Sequence, residues 1–409
     1  MLYLLFIALL KQTNRKMKTN RLKLQIIFYI FLAVPGIGQD IEGILQAIDK
    51  NNPYLIAERN YSMAKNLEYR TGLTPANPSI SYGYFPGNKA APGTKETLDI
   101  KQSFDFPTVY VHKKRKARNQ MDQMAFLQGS IRQDFLLSAK TTLIEFIYLT
   151  KMDHELSFRK SMAEKMYTDF EKKMEEGTGI VVELNKARME LIKTKNALKV
   201  NETSKTRVIE RITQMNGGIG VDLDQMVYAT REIIQLDSLI SFSLNETGRI
   251  KALGSAKAAA QSEVKIRKAQ SLPSFELGYG SEEIASEAFR GARVGMTIPL
   301  WEDKNKVKMA RAQVDYTNSL EESIIAEFRS EIRQDYILAE TLKANLEEYK
   351  TALDNLNDHE ILKKSLDSGQ ISSIEYFLEV AYYYQMVDQY LDIELEYQLV
   401  LARLYKYEL

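Results

Sequence analysis

Few residues in this sequence are equipped for chemistry. There is no cysteine, there are three histidines, and 55 Lys+Arg balance 54 Asp+Glu for a net charge of +1. The missing thiols exclude a disulfide scaffold, a thiolate zinc site, a cysteine nucleophile and a lipid anchor on cysteine. The charge balance argues against a nucleic-acid coat, which needs a basic excess. Two triplets, Asp153-His154-Glu155 and Asp358-His359-Glu360, have the residue types of metal ligands. Successive helix positions point about 100° apart, so neither triplet can wrap one ion, and both read as helix surface. A basic run, His112-Lys113-Lys114-Arg115-Lys116 with Arg118, is the remaining cluster. No nucleophile–base pair, phosphate loop or zinc spacing occurs. The expectation is therefore no enzyme, no metal site and no cofactor.

Two glutamates stand out by spacing rather than by type. Glu183 lies six residues after Gly177, and Glu375 lies six after Gly369. Each glycine sits in a short turn, Glu176-Gly177-Thr178 and Ser368-Gly369-Gln370, at the end of a long stretch poor in breakers. A tight turn between antiparallel helices needs a residue with φ > 0, which glycine supplies. An acid at the start of the returning helix suits the helix macrodipole. A mere helix stop explains each glycine, but not its partner glutamate at equal spacing in both copies.

The chain that must position these residues is one unit written twice. Pro78-Ser79-Ile80-Ser81-Tyr82-Gly83-Tyr84 aligns with Pro273-Ser274-Phe275-Glu276-Leu277-Gly278-Tyr279 at an offset of 195. Lys113, Ala117, Arg118 and Gln120 align with Lys306, Ala310, Arg311 and Gln313 at 193, and the glycine–glutamate pairs at 192. Each copy holds two segments of period two, hence strands with one apolar face. They are expected at about 78–85 and 97–107, then about 273–280 and 293–301, with 85–96 and 281–292 as hairpin loops. The rest reads as helix. Thr108 to Glu176 has no proline and one glycine, and Lys304 to Ser368 has neither. In the second stretch Ala339, Leu342, Leu346, Tyr349, Leu353 and Leu356 step by three and four, a seam for lengthwise packing. Return helices are expected at Val181–Asn216 and Ser372–Tyr407. The organisation is thus an N-terminal extension and signal at 1–38, a first repeat at 39–216 with its tip at 176–179, a connector at 217–243, and a second repeat at 244–409 with its tip at 367–370.

The first 38 residues read as an N-terminal extension and signal peptide. A basic stretch precedes an apolar run, Ile26–Val34, and small residues Gly36 and Gly38 follow. The run is far short of the ~20 residues needed to span a bilayer. Cleavage is expected after Gly38, with either Met1 or Met17 as the start.

Four half-apolar strands cannot stand alone. If the apolar face meets lipid, every backbone polar group must be paired, which requires a closed barrel. Four strands are too few, since bacterial outer-membrane barrels have about 8 or more. Either several chains share one barrel, or the strands form a small soluble sheet packed on helices. Aromatics at the strand ends, Tyr82, Tyr84, Phe104, Phe106, Tyr279 and Trp301, suit a membrane interface and favour the shared barrel. In that arrangement the basic run follows a strand directly and lies near lipid phosphate.

The duplicated strand–strand–long helix–turn–helix unit carries a resemblance, together with Asn52-Pro53-Tyr54-Leu55 and Gly72-Leu73-Thr74-Pro75-Ala76-Asn77-Pro78. Over essentially the whole mature chain the sequence resembles the TolC-type outer-membrane efflux family. The 72–78 element and Ser103-Phe104-Asp105-Phe106-Pro107 are similar to the branch serving heavy-metal cation pumps, the CzcC-like group. The resemblance implies an α+β membrane protein: a homotrimer with a shared twelve-stranded barrel in the outer membrane of a Gram-negative bacterium and a helical periplasmic tunnel. It implies passive efflux of heavy-metal cations in a tripartite pump. The partners would be a periplasmic adaptor (membrane fusion) protein, an inner-membrane RND-type transporter and outer-membrane lipid, with no nucleic acid. Glu375 would ring the periplasmic aperture, with Glu183 as its counterpart. There, carboxylates repeated by symmetry would repel one another and favour cations. Glu176, Gly177, Thr178, Ser368, Gly369 and Gln370 would meet the adaptor. The family's other aperture acid falls on Leu378, beside Glu379, which leaves the size of the charge ring open. The competing readings are a drug or polypeptide export duct of the same architecture and a soluble periplasmic coiled-coil scaffold.

Overall fold

The computed structural model describes residues 41–89, 93–284, 287–301, 303–355 and 359–409. The expected signal at 1–38 lies outside them, as do Leu356 of the helix seam and Asp358 of the second triplet. The chain opens with α1 (Ile41–Asn51) and α2 (Pro53–Tyr69). Asn52 separates them and caps α2: its Oδ1 accepts the Leu55 N–H at 3.0 Å. Pro53 occupies the first helical position, where no N–H is needed.

Strands β1 (Ser79–Pro86) and β2 (Thr94–Phe104) form an antiparallel hairpin. The chain then enters α3 (Pro107–Glu175), 69 residues and ~100 Å long. Pro107 enforces that switch, because it has no N–H for a ladder and a φ suited to a helix start. The strand therefore ends at Phe104, and Phe106, expected at a strand end, is instead the residue that precedes the first helical turn. α4 (Val181–Met215) runs back along α3. Then come α5 (Leu236–Glu246), most of which falls within the expected connector 217–243, and α6 (Gly248–Gln270).

Strands β3 (Ser274–Ile284) and β4 (Glu287–Thr297) form the second hairpin. Next come α7 (Lys306–Asn355), α8 (His359–Asp367) and α9 (Ser373–Leu404), and a 3-10 turn, Lys406–Glu408, closes the chain. Of the helix expected over 304–368, Lys306–Asn355 and His359–Asp367 are helical, and residues 356–358 between them lie outside the described residues. The hairpin loops are shorter than the sequence suggests, since β2 begins at Thr94 and β3 and β4 extend to Ile284 and Glu287. Charge pairing explains the difference. Charged residues fall on both faces there, so period two fades, but Lys95–Glu282 at 2.5 Å and Arg290–Glu283 at 4.0 Å link neighbouring strands. At the other end β4 stops at Thr297, before Pro299, which cannot donate to a ladder. Trp301 therefore lies beyond the strand.

The four strands make one sheet in the order β1-β2-β3-β4. Helices pack in two tiers beneath it. In the tier nearer the sheet the lateral order is α2, α3, α6, α7; in the far tier it is α4, α3, α9, α7. The tiers meet where α4 abuts the start of α2. Asn52 donates to the Met215 carbonyl at 2.7 Å and Asn51 to Asn216 Oδ1 at 3.0 Å. Gly217, at φ 71°, is needed there, because a Cβ would sit 2.6 Å from the Asn51 carbonyl oxygen. Two apolar cores fill this level, one around Ile44, Ile48, Leu143, Ile147 and Ile212, the other around Leu239, Ala339, Leu342, Val400 and Tyr405. A third, with Met166, Phe170, Ala187, Tyr376 and Val380, lies near the far end of α3.

Candidate functional site

The sheet presents its apolar face outward. Register pairs Ile80 with Ile100, Tyr82 with Leu98, Ile100 with Tyr279 and Leu277 with Val294. Side chains alternate along a strand, so these residues share one face across all four strands, with Phe275 and Met296. That face is open in the single chain: Ile80 is 71% exposed and Val294 78%. The opposite face carries Ser81, Asp99, Lys101, Gly278 and Arg293, with Asp99 and Arg293 paired across strands. A sheet built for water buries its apolar side and shows its polar one; here the apolar side is uncovered. Tyr82, Tyr84 and Tyr279 stand on it. Phe104 is half-buried opposite Phe275, Phe106 is half-buried at the α3 start, and Trp301 is 78% exposed just below β4.

The sheet also has two unpaired edges, β1 and β4. The helical tiers are open on the same two sides. On the β1 side, α2 exposes Ile56, Met63 and Leu67, spaced to one stripe, and α4 exposes Val182, Met189 and Val200. On the β4 side, α7 exposes Met309 and Tyr316. The chain's accessible surface is 27203 Å², against roughly 16,000 Å² for a compact monomer of 47.0 kDa.

At the far end the two tips are built alike. Gly177 has φ 75° and Gly369 φ 72°. The Gly177 and Thr178 N–H groups donate to the Met174 and Lys173 carbonyls at 3.2 and 3.0 Å; those of Gly369 and Gln370 donate to Leu366 and Ser365 at 3.0 and 2.9 Å. This is the same left-handed helix termination twice. Glu176, Thr178, Ser368 and Gln370 are exposed on these turns.

Glu375 lies in the first turn of α9 and closes a capping box. Its Oε2 accepts the Ser372 N–H at 2.7 Å, while its own N–H donates to Ser372 Oγ at 3.3 Å. The Ser372 backbone N–H holds its carboxyl below the usual carboxylate range. Glu183 lies in the first turn of α4 and accepts the Ser373 hydroxyl at 2.6 Å. The fold therefore brings the two glutamates to one level, where tip meets tip. Leu378 and Glu379 are exposed one turn on.

Above the tips a ladder of polar contacts fastens the first repeat to the second. Arg159 on α3 is only 7% exposed. It bonds Glu155 at 2.7 Å, Asp388 at 2.7 and 3.2 Å and the Tyr384 carbonyl at 3.3 Å, and its guanidinium lies 4.3 Å from the Tyr384 ring centre. Burial alone would lower its pKa; the bonds to Asp388 and Glu155 outweigh that and raise it. Nearer the sheet Lys151 bonds Glu394 and Tyr148 bonds Asp392, each at 2.7 Å; nearer the tip Lys363 pairs with Asp169 at 3.4 Å. At the level of the connector, Arg231 grips Glu408 at 2.5 and 2.6 Å and stacks 3.4 Å over Tyr405. Sequence reasoning misses these residues. One signal was present for Arg159: it falls on an α3 seam, Leu156, Arg159, Ala163, Met166 and Phe170, where a charge needs a buried partner.

The remaining clusters disperse. Asp153 pairs with Lys205 at 3.6 Å, Glu155 with Arg159, and His154 is exposed. The basic run divides: Lys113 pairs with Asp105 and Lys116 with Glu263, each at 3.0 Å, while Lys114, Arg115 and Arg118 are exposed.

No protein-family profile matches the sequence. No curated protein matches it either. The fold does match solved structures. It superposes on CusC, solved in a study of folding and transmembrane channel formation, with a TM-score of 0.76 over 91% of this chain and 92% of that one, at 15% identity. The Campylobacter jejuni CmeC outer membrane channel gives 0.70 over 90% and 85%, also at 15%. The Neisseria gonorrhoeae MtrE outer membrane channel, in its open state, gives 0.69 over 90% and 88%, at 12%. The chain has the TolC-like channel fold, long helical hairpins with a four-stranded antiparallel sheet.

Proposed function

We propose that this chain is one subunit of a passive outer-membrane channel, assembled as a homotrimer with a shared twelve-stranded barrel. The observation that carries the reading is the sheet: apolar face uncovered, polar face opposite, both edges unpaired. In lipid, unpaired strand edges cost several kcal/mol per group, so the sheet must close. The β1 side and the β4 side of one chain are different surfaces, and such head-to-tail contacts generate a ring when the rotation closes. Closure would pair β4 with the next copy's β1 and cover the stripes on α2, α4 and α7. The polar sheet face then lines the lumen and the apolar face meets lipid.

The solute would pass down a tunnel of α-helices in the periplasm. Glu375, with Glu183 behind it, rings the far aperture and favours cations there. The tip turns around Gly177 and Gly369 receive a periplasmic adaptor, which couples the channel to an RND-type transporter of the inner membrane. Heavy-metal cations are the proposed solute, on the strength of the 72–78 element and the acidic aperture. No step in this reading makes or breaks a bond.

Membrane fractionation, detergent extraction and native mass measurement test the reading. A detergent-dependent trimer that conducts ions in planar bilayers is expected. A soluble monomer without conductance sinks it and leaves the coiled-coil scaffold.

A further inference from the structure

We propose that a collar of unpaired cations below the sheet binds the anionic phospholipid headgroups of the leaflet facing the helices; this rests on the channel reading above. The repeat supplies the first observation. Arg115 and Arg118 on α3 match Lys308 and Arg311 on α7 at an offset of 193. All four side chains are exposed, and none has a carboxylate partner among the described residues. Copies related by the repeat face the same way around the ring, so each chain contributes two such pairs.

The acids around the collar are already engaged. Asp105 is held by Lys113, Asp303 by Lys306 at 2.8 Å, and Glu263 by both Lys116 and Arg267. The next acids on these helices, Asp122 and Asp315, again match at 193 and lie one turn farther from the sheet. Charge is thus sorted by height, with cations on the sheet side and acids beyond. The unpaired set differs from the run read in the sequence, because Lys113 and Lys116 are taken by Asp105 and Glu263.

Height and chemistry fit a headgroup layer. Arg115 lies eight residues past Pro107, ~12 Å along the helix. The headgroup zone beneath the hydrocarbon is ~5–8 Å deep, so the Arg115 backbone lies below it and the side chain reaches it by extending upward, as arginine and lysine stems do at such a boundary. Exposed Trp301 marks the same boundary just above. Arginine forks bind phosphate oxygens in pairs.

The test uses the full-length trimer in detergent, titrated with phosphatidylglycerol or phosphatidylcholine under native mass spectrometry. Wild type should retain phosphatidylglycerol about tenfold better. Arg115→Gln, Arg118→Gln, Lys308→Gln and Arg311→Gln combined should abolish that preference. Trimer mass and circular dichroism show whether this variant folds. Arg115→Lys with Arg118→Lys should keep the preference, as should neutralising Lys172, Lys173, Lys186 and Arg188 near the tip. A trimeric quadruple variant that keeps the preference overturns the proposal. So does one that shifts the reversal potential in a salt gradient with lipid binding intact, because the cations would then face the lumen. A wild type that is a soluble monomer overturns the channel reading and this proposal with it.

Discussion

At Glu375 one carboxylate does two jobs that substitution can separate. It accepts the Ser372 N–H in the capping box, and it places a negative charge at the proposed aperture. Glutamine keeps an oxygen for the N–H but drops the charge. Glu375→Gln should therefore lower the melting temperature less than Glu375→Ala does, because only the charge-assisted part of the cap is lost, while cation selectivity falls, read as a reversal potential in a salt gradient. Glu375→Ala should lose both. An unchanged reversal potential in the glutamine variant would remove Glu375 from the conduction path. The pH dependence has a definite sign. Its folded pKa lies below the usual carboxylate value of about 4.3, so the cap's stabilisation is complete above that value. It is lost only as pH falls through the lower, folded value. Glu408 behaves alike, because the Arg231 side chain holds its carboxyl down. Neither contact should weaken between pH 5 and 8. Glu183 and Glu375 were legible in the sequence because one spacing recurs in two copies. The Arg159–Asp388 and Arg231–Glu408 contacts were not, because the partners lie 229 and 177 residues away, and a single sequence carries no record of which distant residues meet.

At the scale of elements, the tips repeat one solution. Gly177 and Gly369 hold left-handed conformations, where an L-residue with a Cβ costs roughly 1–2 kcal/mol. Gly177→Ala and Gly369→Ala should each destabilise their hairpin by about that much, seen as faster amide hydrogen exchange at 173–180 or 364–371. Gly291 on β4 has open space at its Cβ position and no left-handed φ, so Gly291→Ala should be silent. Equal exchange in all three variants would mean that the tips do not depend on their glycines. Helices were legible wherever breakers were absent over tens of residues, and strands wherever apolar and polar residues alternated. Their ends were not. β2 to β4 run on past the alternating residues because ion pairs such as Lys95–Glu282 hold them. β4 and β2 stop short where Pro299 and Pro107 withhold an N–H. Alternation reports a face, whereas a strand's length is set by what pairs with it.

At the scale of the whole molecule, the decisive property is that one chain is unfinished. Its sheet hides nothing behind its apolar face, and its edges are open on the two sides where helical stripes are also bare. The sequence left a barrel shared between chains and a small soluble sheet both open; which residues share the outward face became visible only through the register. That face makes the barrel testable at one position. Val294 lies mid-way along the apolar row of β4, with Leu277 opposite. If the row meets lipid, Val294→Arg places a charge in hydrocarbon at a cost of ~2–4 kcal/mol near the midplane. Trimer yield in the outer-membrane fraction should drop sharply. Ser81→Arg, on the polar face, should leave the yield near wild type, because the lumen holds water. A sheet that met only water would invert the outcome: Val294→Arg would remove an exposed apolar side chain and raise soluble yield. The two arginines, on β1 and β4, lie on opposite sides of one sheet, so opposite effects on assembly would identify the Val294 side as the surface facing lipid.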